Sequence, residues 1–80
     1  MYKVYILRSG KTGKYYVGYT ANIEQRLRYH NAGKNISTKP GIPWEICRVE
    51  NFLTKQEAWL REKQIKSYKG GGAFKKLLGK

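Results

Sequence analysis

The sequence predicts an α+β fold, a small three-stranded antiparallel sheet flanked by helices in the order ββαβα with a short C-terminal helix. Three observations carry this. Two runs rich in β-branched and aromatic residues, "YKVYILR" (2–8) and "KYYVGYT" (14–20), are separated by the turn chemistry of "SGKTG" (9–13). A third run, "WEICRVENF" (44–52), alternates in polarity. The two longer stretches that remain each open on a helix-capping residue, Asn22 and Thr54.

In chain order, 2–8 reads as a strand apolar on both faces and 14–20 as its hairpin partner. Asn22 caps a helix over 23–32, which Ala32–Gly33 ends. The stretch "KNISTKPGIP" (34–43) is a polar Gly/Pro loop, and 44–52 is the third strand. Thr54 with Glu57 three residues later forms a capping box for a helix over 55–69. "GGG" (70–72) breaks that helix, and "AFKKLLGK" adds a short basic tail. The length predicts one domain, 1–80.

The chain carries 17 Lys and Arg against 5 acids, all glutamates, for a net charge of +12. Such a field points to a polyanionic partner, with nucleic acid the default because counterion release favours each phosphate contact. An anionic membrane is the rival. No segment is apolar enough to span a bilayer, and neither predicted helix is a clean basic amphipath, so no membrane role is expected. The apolar run at the N-terminus is too short for a signal peptide. The single cysteine, Cys47, excludes an internal disulfide and a multi-cysteine zinc site. Its apolar strand predicts a buried thiol, and a cytoplasmic location is expected.

Helix faces separate ordinary charges from unusual ones. On the first helix Ile23 and Leu27 define the inner stripe, with Arg26 and His30 beside it one turn apart. Arg28 and Glu24 share the outer face as a solvated pair. On the second helix Ala58 and Ile65 mark the inner face, with Trp59 at its flank. Glu62 falls within that arc, while Lys63 and Gln64 point away. A carboxylate facing a core needs a cation, a metal or several donors.

Taken singly, these residues have ordinary readings. Glu62 forms a structural ion pair with Lys66 or Arg26, His30 packs through a hydrogen bond, and Arg26 is a phosphate contact or a surface charge. The strand tyrosines are sheet aromatics, which is the favoured reading for Tyr15 and Tyr19. Trp44 packs in the core, or stacks on a base. Together, however, an inward Glu, an Arg, a His and paired strand tyrosines suit phosphodiester chemistry.

The sequence resembles the GIY-YIG nuclease domain, in its small free-standing form. The first triplet reads "VYI" (Val4, Tyr5, Ile6) and the second "YVG" (Tyr16, Val17, Gly18). "NIEQRLRYHN" matches the family helix bearing Arg and, four residues on, His. "EAWLREKQIK" matches the helix that carries a metal-binding glutamate. Val4 replaces the Gly of the first triplet and Val17 the Ile of the second.

The resemblance implies a metal-dependent endonuclease acting on DNA, including branched, nicked or damaged forms of the kind met in repair. Glu62 would hold one Mg²⁺ or Mn²⁺, and Arg26 would offset charge developing on the phosphoryl oxygens. Tyr5 would be the general base if nearby cations lower the pKa of its phenol, with Tyr16 or His30 relaying the proton. His30 as the base, with Tyr5 orienting water, is the open alternative. Gly18 would let a phosphate or backbone approach the sheet, and Lys14 and Lys66 would steer phosphate. The site further requires Tyr5 and Tyr16 on one face, for example directly opposed across a four-residue loop, Ser9–Thr12. The tail lysines Lys69, Lys75, Lys76 and Lys80 would make non-specific backbone contacts or add solubility. Specificity would be weak, structure-selective or supplied by a protein partner. Two rival functions stay open, a nucleic-acid-binding module with little turnover and an RNA-directed nuclease.

Overall fold

Alternation along the first strand divides the molecule into two layers, and the candidate site lies in one of them. In the computed structural model, which describes residues 1–79, β1 (Tyr2–Ser9) is the central strand of a sheet ordered β2–β1–β3, flanked by β2 (Tyr15–Thr20) and β3 (Trp44–Phe52). Lys80 lies outside the described residues. A central strand with layers on both sides must be apolar on both faces, and Val4, Tyr5, Ile6 and Leu7 are all buried. Val4 and Ile6 join Val17, Ala58, Ile65 and Phe74 in one core; Tyr5 and Leu7 join Trp44 in a second.

The first core is closed by α2 (Lys55–Ser67) and α3 (Gly72–Leu77), the second by α1 (Ile23–Asn31) and the loop after it. The predicted caps are present. Asn22 accepts from the Gln25 amide at 3.0 Å, and Thr54 and Glu57 form a reciprocal capping box. On α2, Ala58 and Ile65 are buried as the periodicity requires, while Trp59 is 42% exposed at the flank. This helix ends two residues before the expected boundary, and the chain turns through Lys69 and Gly70, both at positive φ (+49° and +74°). The glycine break is narrower than "GGG", since Gly72 opens α3, whose Phe74 seats edge-on against Tyr15 at 5.4 Å. Glu50 of β3 is gripped by Arg48 (2.8 Å) and Arg61 of α2 (2.7 Å), which hold its carboxyl below the usual carboxylate range. Among the described residues no helix is long and apolar enough to cross a membrane.

Two expectations are corrected. Tyr5 pairs with Gly18 and Tyr16 with Leu7, so Tyr5 is not directly opposite Tyr16. The register differs by two residues, an even step that keeps both tyrosines on one face. The hairpin loop is correspondingly longer than Ser9–Thr12, because the last pair is Arg8 with Tyr15. The buried Ser9 hydroxyl organises it, accepting from the Lys11 and Thr12 amides at 3.1 and 2.9 Å. Cys47, expected to be buried, is exposed. Pairing with β1 skips from Arg48 to Ile46, so Cys47 is the extra residue of a bulge on an edge strand.

A candidate active site on the Tyr5 face of the sheet

Tyr5 is only 2% exposed, and its ring lies across Gly18 on the neighbouring strand. A Cβ at position 18 would stand 2.5 Å from the Tyr5 hydroxyl oxygen and 2.7 Å from the ring carbon bearing it. Sequence reasoning reserved the space above Gly18 for a phosphate or another backbone; the Tyr5 phenol fills it. The hydroxyl meets His30 Nε2 at 3.2 Å, and on the far side of the imidazole Nδ1 meets Thr38 Oγ1 at 2.9 Å. Tyr16 closes the group, its ring centroid 4.9 Å from His30, 6.4 Å from Tyr5 and 6.4 Å from Trp44. Trp44 is a buried core residue whose indole N–H donates to the Thr38 carbonyl at 2.7 Å.

Burial sets the electrostatics. It pushes the Tyr5 phenol well above its ordinary value; Tyr16 and Glu62 add to the rise, and Arg26 opposes it. The expectation that surrounding cations would lower this pKa is therefore corrected, because desolvation outweighs the one guanidinium that bears on it. The same burial, reinforced by Arg26, lowers His30 below its ordinary value, so the imidazole is neutral at neutral pH.

Arg26 and Glu62 reach the group through space. Arg26 is half-buried on α1, with its guanidinium 5.1 Å from the Tyr29 ring centroid. Its charge acts on both Tyr5 and His30. Glu62, on α2 across the sheet, is close enough for its charge to bear on the Tyr5 phenol. Its partner is Lys66, one turn on, at 3.5 Å, with side chains 14% and 52% exposed respectively. The two glutamates of the region thus differ. Glu50 is locked by two arginines, whereas Glu62 holds one loosely placed, solvated lysine, a contact worth about 0–1 kcal/mol.

Among the described residues there is no group of three or more His, Cys, Asp or Glu side chains that could hold a metal ion. A hard divalent cation needs fewer protein donors than that. One exchangeable carboxylate, with waters and a substrate phosphate completing the shell, fits Mg²⁺ or Mn²⁺ coordination. Glu62 meets that description and Glu50 does not. Lys14 and Lys66 stand with Tyr16, Tyr15, Lys69 and Phe74 around a groove of about 550 Å³ beside the edge strand β2.

The structure therefore brings Tyr5, Tyr16 and His30 into contact, sets Gly18 beneath Tyr5, places Arg26 and Glu62 within electrostatic range, and lines one groove with Lys14 and Lys66. Sequence reasoning missed Thr38 and the Asn35 that holds it. Both lie in the stretch read as a polar loop, which folds over Lys39–Gly41 into a turn of 3-10 helix. "STKP" looks like a helix cap, and nothing in its spelling says that the threonine faces a histidine eight residues back.

The family model described as the GIY-YIG catalytic domain matches residues 1–74. The chain is 42% identical over 66 residues to a UPF0213 protein of Staphylococcus haemolyticus, covering 81% of this chain and 79% of that protein. It is 42% identical over 64 residues to a UPF0213 protein of Oceanobacillus iheyensis, covering 79% and 73%. A UPF0213 protein of the archaeon Halobacterium salinarum is 37% identical over 67 residues, covering 82% and 86%. No solved structure matches the chain.

Proposed function

Since the chain belongs to the GIY-YIG nuclease domain family, we propose that it is a metal-dependent endonuclease that hydrolyses phosphodiester bonds in DNA, with weak sequence preference or selectivity for branched, nicked or damaged forms. The observation that carries this is the buried Tyr5–His30 hydrogen bond, a phenol joined to a neutral imidazole beside an arginine and an exchangeable carboxylate.

His30 is the proton sink of this mechanism. The raised pKa of Tyr5 disfavours a standing tyrosinate. Instead, the attacking water gives a proton to the Tyr5 oxygen as the Tyr5 proton passes to His30 Nε2. One O–H bond breaks in the water and another in the phenol, while an O–H bond forms on Tyr5 and an N–H bond on His30. The base strength is that of an imidazole, and tyrosine serves as the conduit. Tyr16 packs against both rings and keeps the phenol and imidazole in line. Arg26 offsets the charge that builds on the phosphoryl oxygens. Glu62 would hold Mg²⁺ or Mn²⁺ in place of Lys66, and such a cation supplies Lewis-acid stabilisation of the phosphate and the leaving oxygen. Lys14 and Lys66, on the rim of the groove, guide the nucleic-acid backbone. In this reading the enzyme works in the cytosol, where a protein partner can supply the specificity that the domain lacks.

The Glu62–Lys66 pair supports a second reading, a nucleic-acid-binding module with little turnover in which lysine occupies the carboxylate permanently. A cleavage panel separates them. Labelled duplex, nicked, flap, branched and single-stranded DNA, with matching RNAs, are incubated with Mg²⁺, Mn²⁺ or chelator. Metal-dependent cleavage of DNA that disappears in Glu62→Ala establishes the nuclease. Preference for the RNA set transfers the activity to RNA, and salt-sensitive binding without cleavage of any substrate establishes the binding module.

A further inference from the structure

The loop between α1 and β3 is pinned at several points on either side of Thr38. Its Gly41 carbonyl accepts from the buried Ser9 hydroxyl at 2.6 Å. Gly41 itself leaves room for the Trp44 indole, which a Cβ there would strike. Trp44 is in turn clamped by the Asn31 amide, which donates to its carbonyl at 3.1 Å and accepts from its N–H at 2.7 Å. The indole N–H then holds the Thr38 carbonyl. At the start of the loop, the Asn35 carbonyl gathers the Thr38 and Lys39 amides at 3.2 and 3.0 Å. Thr38 precedes a 3-10 turn with proline in its first positions, where a threonine hydroxyl usually caps the backbone, yet here it makes no such bond. That hydroxyl is 1% exposed as part of its residue, and it faces His30 Nδ1 at 2.9 Å and the Asn35 carbonyl at 3.3 Å.

We propose that Thr38 is a positioning residue for the candidate active site, fixing the tautomer of His30. The Asn35 carbonyl only accepts, whereas His30 Nδ1 can donate or accept, so the assignment that satisfies both contacts at once has the Thr38 hydroxyl donating to Asn35. In that assignment its lone pair accepts and Nδ1 carries the hydrogen. Nε2 is then bare and points at the Tyr5 hydroxyl, the arrangement that lets imidazole receive the Tyr5 proton. Once that proton arrives, the same Thr38 lone pair still holds Nδ1–H of the imidazolium, so no group has to reorient during the step. The opposite tautomer would present Nε2–H to Tyr5 and block the relay. The catalytic consequence rests on the relay proposed above; the tautomer itself does not.

The chain has one histidine, so its ring nitrogens give unambiguous ¹⁵N signals. The experiment records long-range ¹H–¹⁵N correlations of the full chain near neutral pH for wild type, Thr38→Ser and Thr38→Val. The valine is close to threonine in shape, and chemical denaturation of each variant checks its fold. The expected result is a protonated Nδ1 and a bare Nε2 in wild type and Thr38→Ser, with Thr38→Val shifted toward Nε2–H. Cleavage should fall roughly 10–100-fold in Thr38→Val, by analogy with removal of the hydrogen-bond partner of a metal-ligating histidine, and return in Thr38→Ser. A wild-type Nε2–H tautomer, or an unchanged tautomer in folded Thr38→Val, overturns the assignment. A shifted tautomer with wild-type cleavage overturns its catalytic consequence. If wild type cleaves no substrate, the nuclease reading fails while the ¹⁵N spectra still decide the role of Thr38.

Discussion

Tyr5 on β1 and His30 on α1, 25 residues apart in the chain, meet through a buried 3.2 Å hydrogen bond between phenol and imidazole. Each has its pKa moved away from its charged form by the same burial, Tyr5 upward and His30 downward. The pair is therefore neutral at rest. This neutrality suits a relay better than a preformed base.

Tyr5→Phe removes the conduit while keeping the ring that packs over Gly18. Cleavage should fall by about 10²-fold or more, the usual worth of a positioned proton carrier. Stability should drop by about 1–3 kcal/mol, because His30 Nε2 is left buried without its donor. Single-turnover rates and urea denaturation check the two effects separately.

Gly18→Ala tests the close approach of the two strands. The added methyl would lie 2.5 Å from the Tyr5 oxygen, so the ring must move away from His30 or the strands must part. A loss of about 1–3 kcal/mol is expected from overpacking, together with a loss of cleavage larger than the instability explains. Wild-type activity in a folded Gly18→Ala protein would show that the phenol need not sit there.

Stability should decline as the medium is acidified from neutrality. His30 has a folded pKa below its ordinary 6.5, so the unfolded chain binds the proton more readily. Stability from this group is complete above about pH 6.5 and is lost as pH falls through the lowered folded value. Glu50, whose pKa is lowered from 4.5 by Arg61 and Arg48, acts in the same direction in a lower window, below pH 4.5. Urea midpoints measured across mildly acidic pH should fall in wild type and stay flatter in His30→Gln.

Glu50 and Glu62 should separate stability from activity. Glu50→Ala leaves Arg48 and Arg61 without their shared carboxylate and should destabilise by about 1–3 kcal/mol with little change in cleavage per folded molecule. Glu62→Ala loses one long 3.5 Å pair to a half-exposed lysine, so stability should stay within about 1 kcal/mol while cleavage falls to the level seen with chelator. Thermal unfolding and cleavage rates, measured on the same preparations, check the contrast.

The residues near the site were unevenly legible. The caps at Asn22 and Thr54 and the inner positions Ala58 and Ile65 follow from local rules that the structure obeys. The strand of Cys47 was recognisable, but its exposure was not, since a bulge and an edge position depend on what pairs and what packs nearby. Thr38 looked like part of an ordinary loop because its partner lies on another element.

By itself the sequence determined the α+β order, the basic surface, the helix faces and, through the two tyrosine triplets, the GIY-YIG family. The order, charge and helix faces rest on short-range periodicity, capping and composition, which each segment carries within itself, and the family rests on the resemblance of its motifs. Only the tertiary structure decided the register that lays Tyr5 over Gly18, the rise in the pKa of Tyr5 where a fall was expected, and the threonine that holds His30. Those depend on desolvation and on contacts between distant elements. Burial belongs to the assembled layers, and no stretch of residues encodes it alone.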